Sequence, residues 1–211
     1  MRLALEQAGV ILMGASVFVL YLAFAPAVNE ELRYTFSSRS AATAPVLTRG
    51  EASAETTAAL PQAIYPVDER FGIVIPKIGA NAKVIPDVDW QDSAVYQQAL
   101  TKGVAHAKGT VFPGEPGNVF LFAHSGVDFY EANRYNAVFY LLSKLSAGDE
   151  IYLFHDGHKL AYQVTEQKTV SAESVEYMKG DPNKETLTLM TCWPAGTTYR
   201  RLIVLAERVI E

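Results

Sequence analysis

The chain has 211 residues, a net charge of −5 at neutral pH and a single cysteine. The acidic balance, without any basic stripe, argues against a nucleic-acid partner. One cysteine excludes an intrachain disulfide framework and any metal site built from several cysteines. Beyond an apolar N-terminal region there is room for one domain of roughly 140 residues, enough to bury a full core.

The first predicted element is a membrane anchor. Residues 8–28 carry no charged side chain and are strongly apolar. About 21 residues, rising 1.5 Å each, span the roughly 30 Å hydrocarbon core of a bilayer. A cleaved signal peptide is the alternative, because small residues between positions 23 and 27 offer a cleavage site. The apolar run is longer than the hydrophobic region of an ordinary signal peptide, which favours an uncleaved anchor.

The charges on either side of this segment predict its orientation. Arg2 and the α-amino group precede it, whereas Glu30 and Glu31 follow it. The positive-inside rule places the N-terminus in the cytoplasm. We therefore expect residues 1–28 to be a cytoplasmic stub and a transmembrane helix of a single-pass cell-membrane protein, with the remaining chain extracellular.

A stalk is predicted between the anchor and the domain, over residues 29–69. Stretches 37–45 and 51–59 consist of small and polar residues without apolar periodicity. Such sequence cannot bury enough surface to offset its chain entropy, so we expect it to be largely flexible. A short helix over 29–35 would continue the membrane helix.

Residues 70–211 are predicted to form an all-β domain. Two turn-rich stretches stand out, 113–118 and the hairpin turn 155–158. A short helix is predicted over 92–100 with Ser93 as its cap, and apolar residues recur at helical spacing over 135–145. Strands are predicted at 71–76, 83–86, 103–106, 119–124, 150–154, 159–164, 186–192 and 201–209. Many short strands and few helices indicate a barrel or a sandwich.

Cys192 is the first candidate for chemistry. It ends the predicted strand 186–192, which alternates threonine with apolar residues, and a proline and a glycine follow shortly afterwards. The thiol therefore lies at a strand end, and Arg200 and Arg201 open the next apolar strand. A lone thiol near two guanidinium groups is typical of an activated nucleophile, although a buried inert thiol is the alternative.

Among the four histidines, His124 is the best candidate for a partner. It directly follows an apolar strand, so its ring lies at a strand exit as Cys192 does. The two histidines of the 155–158 turn are expected to be exposed turn residues that lack enough further ligands for a metal. His106 lies in a short apolar strand, where a structural or binding-cleft role is expected.

Taken together, these segments resemble the sortases, a family of membrane-anchored cysteine transpeptidases. Residues 188–192, TLMTC, match the family's Thr-Leu-x-Thr-Cys strand end, and residues 117–125, GNVFLFAHS, match its histidine after a long strand. Ala123 and Ser125 depart from the glycine and arginine common there, without removing a catalytic atom. Further matching segments, in the right order, are IPKIG at 75–79, GVAHAKGT at 103–110 and RLIV at 201–204.

This resemblance implies a closed β-barrel of about eight strands with short helices. It implies cleavage of an LPxTG-like sorting signal in secreted proteins, with the acyl fragment held as a thioester on Cys192. His124 would transfer protons, Arg201 would bind the oxyanion, and Thr191 and His106 would bind substrate. The acceptor would be an amine, from a peptidoglycan precursor or a pilin-like protein. No metal or cofactor is implied.

Three points stay open at this stage. Arg200 and Arg201 point to opposite faces of a strand, so only one can face the thiol, and the family pattern favours Arg201. By resemblance, 111–116 and 165–184 are expected to be the walls of the peptide groove. The absence of an Asp-Pro-aromatic lid before the domain favours a housekeeping-type or class D/E-like branch over a pilus-building one.

Other functional classes fit less well. An L,D-transpeptidase-like enzyme also orders histidine before cysteine with an arginine nearby, but its Ser-x-Gly-Cys signature is missing. A papain-like protease has the reverse order. A non-catalytic membrane-tethered β-domain for surface adhesion or assembly, with an incidental cysteine, is the remaining alternative.

Overall fold

The computed structural model of the protein describes residues 2–41, 44–48, 50, 63–126 and 138–210. Helix α1 spans Arg2–Ala41. Its residues up to Ser37 form one compact unit, and a second unit begins at Ser38. Within the described residues, no helix reaches the length and apolar character required to cross a membrane. The anchor predicted over 8–28 therefore stays a prediction.

Eight strands close into a barrel in the described part of the second unit. They follow one another around the barrel in the order β1-β2-β3-β4-β7-β8-β6-β5, and β5 closes the circle by pairing with β1. Their bounds are β1 Phe71–Ile75, β2 Ala80–Val88, β3 Val104–Ala107, β4 Gly117–Phe122, β5 Glu150–His155, β6 His158–Ser171, β7 Glu185–Trp193 and β8 Arg200–Arg208. The predicted all-β, closed eight-stranded barrel is thus confirmed.

Two of the strand pairs are parallel, β2 with β3 and β4 with β7, and the other pairs are antiparallel. All six residues of β4 are buried, on both faces of the strand. Parallel strands are normally covered on both sides. Other parts of the chain must therefore cover the outer face of β4, and some of the residues that cover it also line the candidate site.

The predicted hairpin between β5 and β6 is present. His155 pairs with His158 at its end, and the two residues between them, Asp156 and Gly157, have φ angles of 49° and 81°. A type I′ turn requires positive φ angles at both of its central residues. Asp-Gly is one of the sequences that adopt this turn most readily.

Helix α2 (Ser93–Leu100) agrees with the predicted helix but is capped one residue earlier. Asp92, rather than Ser93, is its cap, and the Asp92 carboxylate accepts hydrogen bonds from the backbone N–H groups of Ala94 at 2.9 Å and Val95 at 3.3 Å.

The helical spacing over 135–145 indicated packing rather than a helix in the described part of that segment. Residues 138–141 form turns, and only Leu142–Lys144 are helical, as a short 3-10 helix. Phe139 and Leu142 are fully buried, so their spacing serves the core. Residues 127–137 lie outside the described residues.

Two pieces of the predicted stalk lie against the barrel. Val46 and Ile64 form an isolated β-bridge, and Val46 packs in a buried cluster with Val74 and Phe154. The Lys159 ammonium group donates a hydrogen bond of 3.0 Å to the Val46 carbonyl. At these two places the chain is packed rather than flexible, because apolar side chains find a partner on β1 and β5.

The rest of the predicted stalk is only partly described. Helix α1 continues to Ala41, beyond the short helix expected over 29–35. Residues 51–62 lie outside the described residues. The domain bounds at 28 and 69 stay a prediction.

Candidate active site

Strand pairing places Cys192 opposite Arg201. Cys192 is the penultimate residue of β7 and is partly buried, and its antiparallel partner on β8 is Arg201. Residues directly opposite each other in an antiparallel pair project to the same face of the sheet. The thiol and the Arg201 guanidinium therefore share one face, which we call the cavity face.

The same pairing separates the two arginines. Arg200 pairs with Trp193, one step along both strands, and therefore lies on the other face. Its side chain is exposed, whereas that of Arg201 is partly buried. The Arg201 Nη1 donates hydrogen bonds of 3.1 Å to the carbonyls of Thr198 and Arg200. These two bonds hold the guanidinium at the rim formed by the β7–β8 loop.

His124 reaches the cavity face through the parallel pairing of β4 with β7. The last pair of that ladder joins Phe122 to Met190, and the Ala123 N–H continues it with a 3.2 Å hydrogen bond to the Met190 carbonyl. His124 lies two residues after Phe122, and Cys192 lies two residues after Met190. The imidazole and the thiol thus arise at the same level of the sheet.

Thr191 holds the backbone in front of His124. Its side chain is 3% exposed, and its hydroxyl donates a 2.8 Å hydrogen bond to the Ala123 carbonyl. Ala123 is therefore fixed at both its N–H and its carbonyl by β7. A hydroxyl so engaged supports the position of His124. Thr191 also lines the cavity, so the substrate contact expected for it stays a prediction.

One cavity of about 520 Å³ is lined by His124, Cys192 and Arg201 together. Its floor is the cavity face, with the apolar side chains of Phe120, Phe122 and Met190. A largely apolar pocket with a few convergent polar groups is the usual form of a ligand site. The three predicted catalytic side chains therefore meet where a substrate has room to bind.

The cavity walls differ in part from those expected. Segment 165–184 contributes, through residues between Ala172 and Met178, but 111–116 does not line the cavity. The Gly114 N–H instead donates a 2.9 Å hydrogen bond to Glu185, at the far end of β7 from Cys192. The other wall is formed by Trp90 and helix α2.

The sequence carried only a weak signal for that second wall. In the sequence, Val95, Tyr96 and Leu100 fall on one side of the predicted short helix. Tyr96 and Leu100 line the cavity, whereas Val95 is exposed. The spacing of these apolar residues indicates that one side of the helix packs against the domain, but it does not indicate which strand lies beneath that side. Trp90, which precedes the helix, carried no signal that tied it to Cys192.

His106 is not brought to the cavity. Its side chain is fully buried, and its Nδ1 accepts a 3.3 Å hydrogen bond from the Asp87 N–H. The neutral ring then carries its proton on Nε2, which lies 3.1 Å from the Val111 carbonyl and 3.0 Å from the Thr110 hydroxyl. Its ring also packs against the aromatic side chain of Phe112, at 4.6 Å between centroids. These are the contacts of a core histidine, in place of the substrate-binding role expected for it.

Burial lowers the pKa of His106, although contact with the Val111 carbonyl and the charge of Asp87 act in the opposite direction. The folded protein therefore favours the neutral imidazole. Within the described ranges, His106 belongs to no group of three or more His, Cys, Asp or Glu residues arranged to hold a metal ion, and neither does any other residue there.

Known proteins resemble this arrangement. A family model of the sortase domain matches residues 73–209. Sortase D of Bacillus subtilis is 28% identical over 138 residues, covering 64% of this chain and 61% of that protein, so the match spans less than two thirds of that relative.

Solved structures give the same family. Sortase C-1 of Actinomyces oris has a TM-score of 0.58 and 30% identity over 69% of this chain and 76% of that one. A pilus-related sortase C of Group B Streptococcus has a TM-score of 0.57 and 30% identity, over 68% of this chain and 69% of that one. Sortase A of Corynebacterium diphtheriae, a lid mutant, has a TM-score of 0.57 and 29% identity, over 68% of this chain and 72% of that one.

The buried His106 predicts how stability depends on pH. Its pKa is lowered in the folded state, so the unfolded chain binds the proton first and the free energy of unfolding falls as the pH drops below about 6.5. In His106→Gln this loss of stability between pH 7.5 and pH 5.5 should disappear. Urea unfolding at both pH values measures it, with the exposed His158→Gln as control. Equal pH dependence in His106→Gln and the wild type would contradict the assignment.

Proposed function

The chain belongs to the sortase family, and from this premise we propose that it is a cysteine transpeptidase acting on sorting signals of secreted proteins. The observation that carries the proposal is the meeting of Cys192, His124 and Arg201 in one cavity. Cys192 and Arg201 come from the paired strands β7 and β8, and His124 comes from the segment directly after the neighbouring strand β4. No other described cluster combines a thiol, an imidazole and a guanidinium.

The first half of the reaction forms a thioester. The Cys192 thiolate attacks the carbonyl carbon of the scissile peptide bond, and the resulting tetrahedral intermediate carries a negative oxygen. When the intermediate collapses, the C–N bond breaks and the imidazolium of His124 donates its proton to the departing amine. The N-terminal fragment of the substrate remains on the Cys192 sulfur.

The second half returns the enzyme to its starting state. An acceptor amine attacks the thioester carbonyl, and neutral His124 removes its proton. The C–S bond then breaks, the Cys192 thiolate is released and a new amide bond joins the fragment to the acceptor. Protons and charges balance over the two halves, because His124 gives one proton and takes one back.

Arg201 supplies positive charge to both halves. It faces the same side of the sheet as the thiol and is held at the rim by the carbonyls of Thr198 and Arg200. A guanidinium there stabilises the negatively charged oxygen of the tetrahedral intermediate in each half of the reaction. Because its position is fixed before substrate binds, little reorganisation is needed during the reaction.

The cavity suits an extended peptide with apolar side chains. Its floor of Phe120, Phe122 and Met190 and the wall residue Leu100 offer apolar contacts beside the thiol. This supports an LPxTG-like signal, whose leucine and proline are apolar. The acceptor would be a peptidoglycan precursor or a pilin-like protein. The similarity to a protein named Sortase D, together with the missing lid motif, favours a class D/E-like branch.

We further propose that residues 8–28 anchor the chain in the cell membrane, with the domain outside. The support is the uncharged sequence of that segment. The full chain should then sediment with membranes and resist extraction by carbonate, whereas a chain starting at residue 29 should not. A full chain found in the soluble fraction, or a mature N-terminus near residue 28, would contradict the anchor.

Thioester formation tests the activity itself. Incubation of the protein with an LPxTG-like peptide panel and hydroxylamine should release the peptide's hydroxamate, and mass spectrometry should detect the acyl group on Cys192. Cys192→Ala should abolish both signals, because no nucleophile remains. His158→Gln, an exposed change in the β5–β6 turn that does not line the cavity, is the control. A Cys192→Ala protein that still forms hydroxamate would overturn the mechanism.

The two arginines should differ sharply. Arg201→Ala removes the charge that faces the thiol, so kcat/KM should fall by about 10²–10³, as for the loss of an oxyanion donor. Arg200→Ala, on the opposite face, should stay within about threefold of the wild type, as for surface substitutions. Steady-state kinetics with one peptide compares them. A larger loss in Arg200→Ala than in Arg201→Ala would exchange their assignments.

A further inference from the structure

Asn118 carries a buried amide whose four hydrogen-bonding positions are all used. The residue lies on β4 and is 5% exposed. Its Oδ1 accepts hydrogen bonds from the hydroxyls of Thr186 at 3.1 Å and Thr188 at 3.0 Å. Its Nδ2 donates to the carbonyls of Tyr177 at 2.9 Å and Met178 at 3.3 Å.

The orientation of this amide is fixed by chemistry. A hydroxyl donates readily to an amide oxygen, and a carbonyl only accepts, so Oδ1 must face the threonines and Nδ2 the carbonyls. The oxygen is thus tied to strand β7. The nitrogen is tied to residues 172–184, which connect β6 to β7 and which we call the β6–β7 loop.

Gly180 shows that the β6–β7 loop lies directly on β4. A Cβ atom at Gly180 would come 2.5 Å from the Cβ and 2.8 Å from the backbone nitrogen of Asn118. Real Cβ atoms essentially never approach other atoms so closely. Glycine at this position therefore lets the loop backbone reach the strand, and Asn118 holds it there with two hydrogen bonds.

The loop residues next to these contacts form one wall of the cavity. Met178, whose carbonyl accepts from Asn118, lines the cavity, as do Ser174 and Val175. Asn118 also shares the cavity face of β4 with Phe120, because alternate residues of a strand project to the same side. The amide therefore ties the wall to the floor, at a distance from Cys192 along the strand.

We propose that Asn118 is a positioning residue that sets the place of this wall and thereby the binding of the peptide. The proposal rests on the transpeptidase function proposed above. Asn118 takes no part in bond making or breaking. Its loss should weaken peptide binding and leave the Cys192 thiol as reactive as before.

Two substitutions break the contact from opposite sides. Asn118→Asp keeps the acceptor for the threonines but replaces the donor with an oxygen that repels the carbonyls of Tyr177 and Met178. Gly180→Ala forces the loop and β4 apart while every residue of β4 keeps its identity. Lys179→Ala and Lys184→Ala, two exposed changes on either side of Gly180 in the same loop, are the controls.

Two measurements on the full chain decide the proposal. Loss of two hydrogen bonds should raise KM for the peptide about tenfold in both variants, with kcat changed less than about threefold. Hydrogen exchange should accelerate at residues 172–180 and not in the barrel strands. The alkylation rate of Cys192 by iodoacetamide should equal that of the wild type, and both controls should behave as the wild type throughout.

The outcomes separate this proposal from the function it rests on. Unchanged KM and unchanged loop exchange in both variants would overturn the positioning role, as would faster exchange spread over the whole barrel. If the wild type turns over no peptide, the proposed function fails. In that case faster exchange confined to the loop still supports the contact, and unchanged exchange still overturns it. If Asn118→Asp does not fold, Gly180→Ala gives the answer.

Discussion

The parallel pairing of β4 with β7 is the constraint on which the site depends. It runs without a shift from Gly117 opposite Glu185 to Phe122 opposite Met190. Because side chains alternate between the two faces of a strand, a slip of one residue would move His124 and Cys192 to different sides. The hydroxyl of Thr191, bonded to the Ala123 carbonyl, fixes the register at the end where this matters most.

Covering this pair of strands also creates the cavity. Parallel strands expose two apolar faces, and here one faces the barrel interior while the other requires an external cover. Helix α2 and the β6–β7 loop supply it from two sides, and between them Met190 of the cavity floor stays partly exposed. The site is therefore the space left between helix α2 and the β6–β7 loop, which together cover the outer face of the sheet. Its width depends on how the helix and the loop are each held in place.

Local patterns predicted the strands, the Asp-Gly hairpin and the two strand ends that carry His124 and Cys192, because each depends on a few neighbouring residues. Contacts between distant segments escaped prediction. Nothing near His106 distinguishes a buried histidine from one in a cleft, since its ring packs against Phe71 of β1 and accepts a hydrogen bond from the backbone of Asp87 on β2. In the same way, Val46 lies in polar sequence, and only the distant Val74 and Phe154 make it part of a core.

The alternating threonines of β7 show why a familiar pattern misleads in a covered sheet. Alternation of threonine with leucine predicts a strand with one face in the core and the other in water. Here Thr188 is 2% exposed, and it shares with Thr186 the task of donating to Asn118. Leucines would bury equally well but would leave the amide oxygen without donors, at a cost of about 1–3 kcal/mol for an unsatisfied buried group. The threonines therefore let a polar amide be buried under the β6–β7 loop, and the directed hydrogen bonds of that amide give the loop a single position that apolar packing alone would not specify.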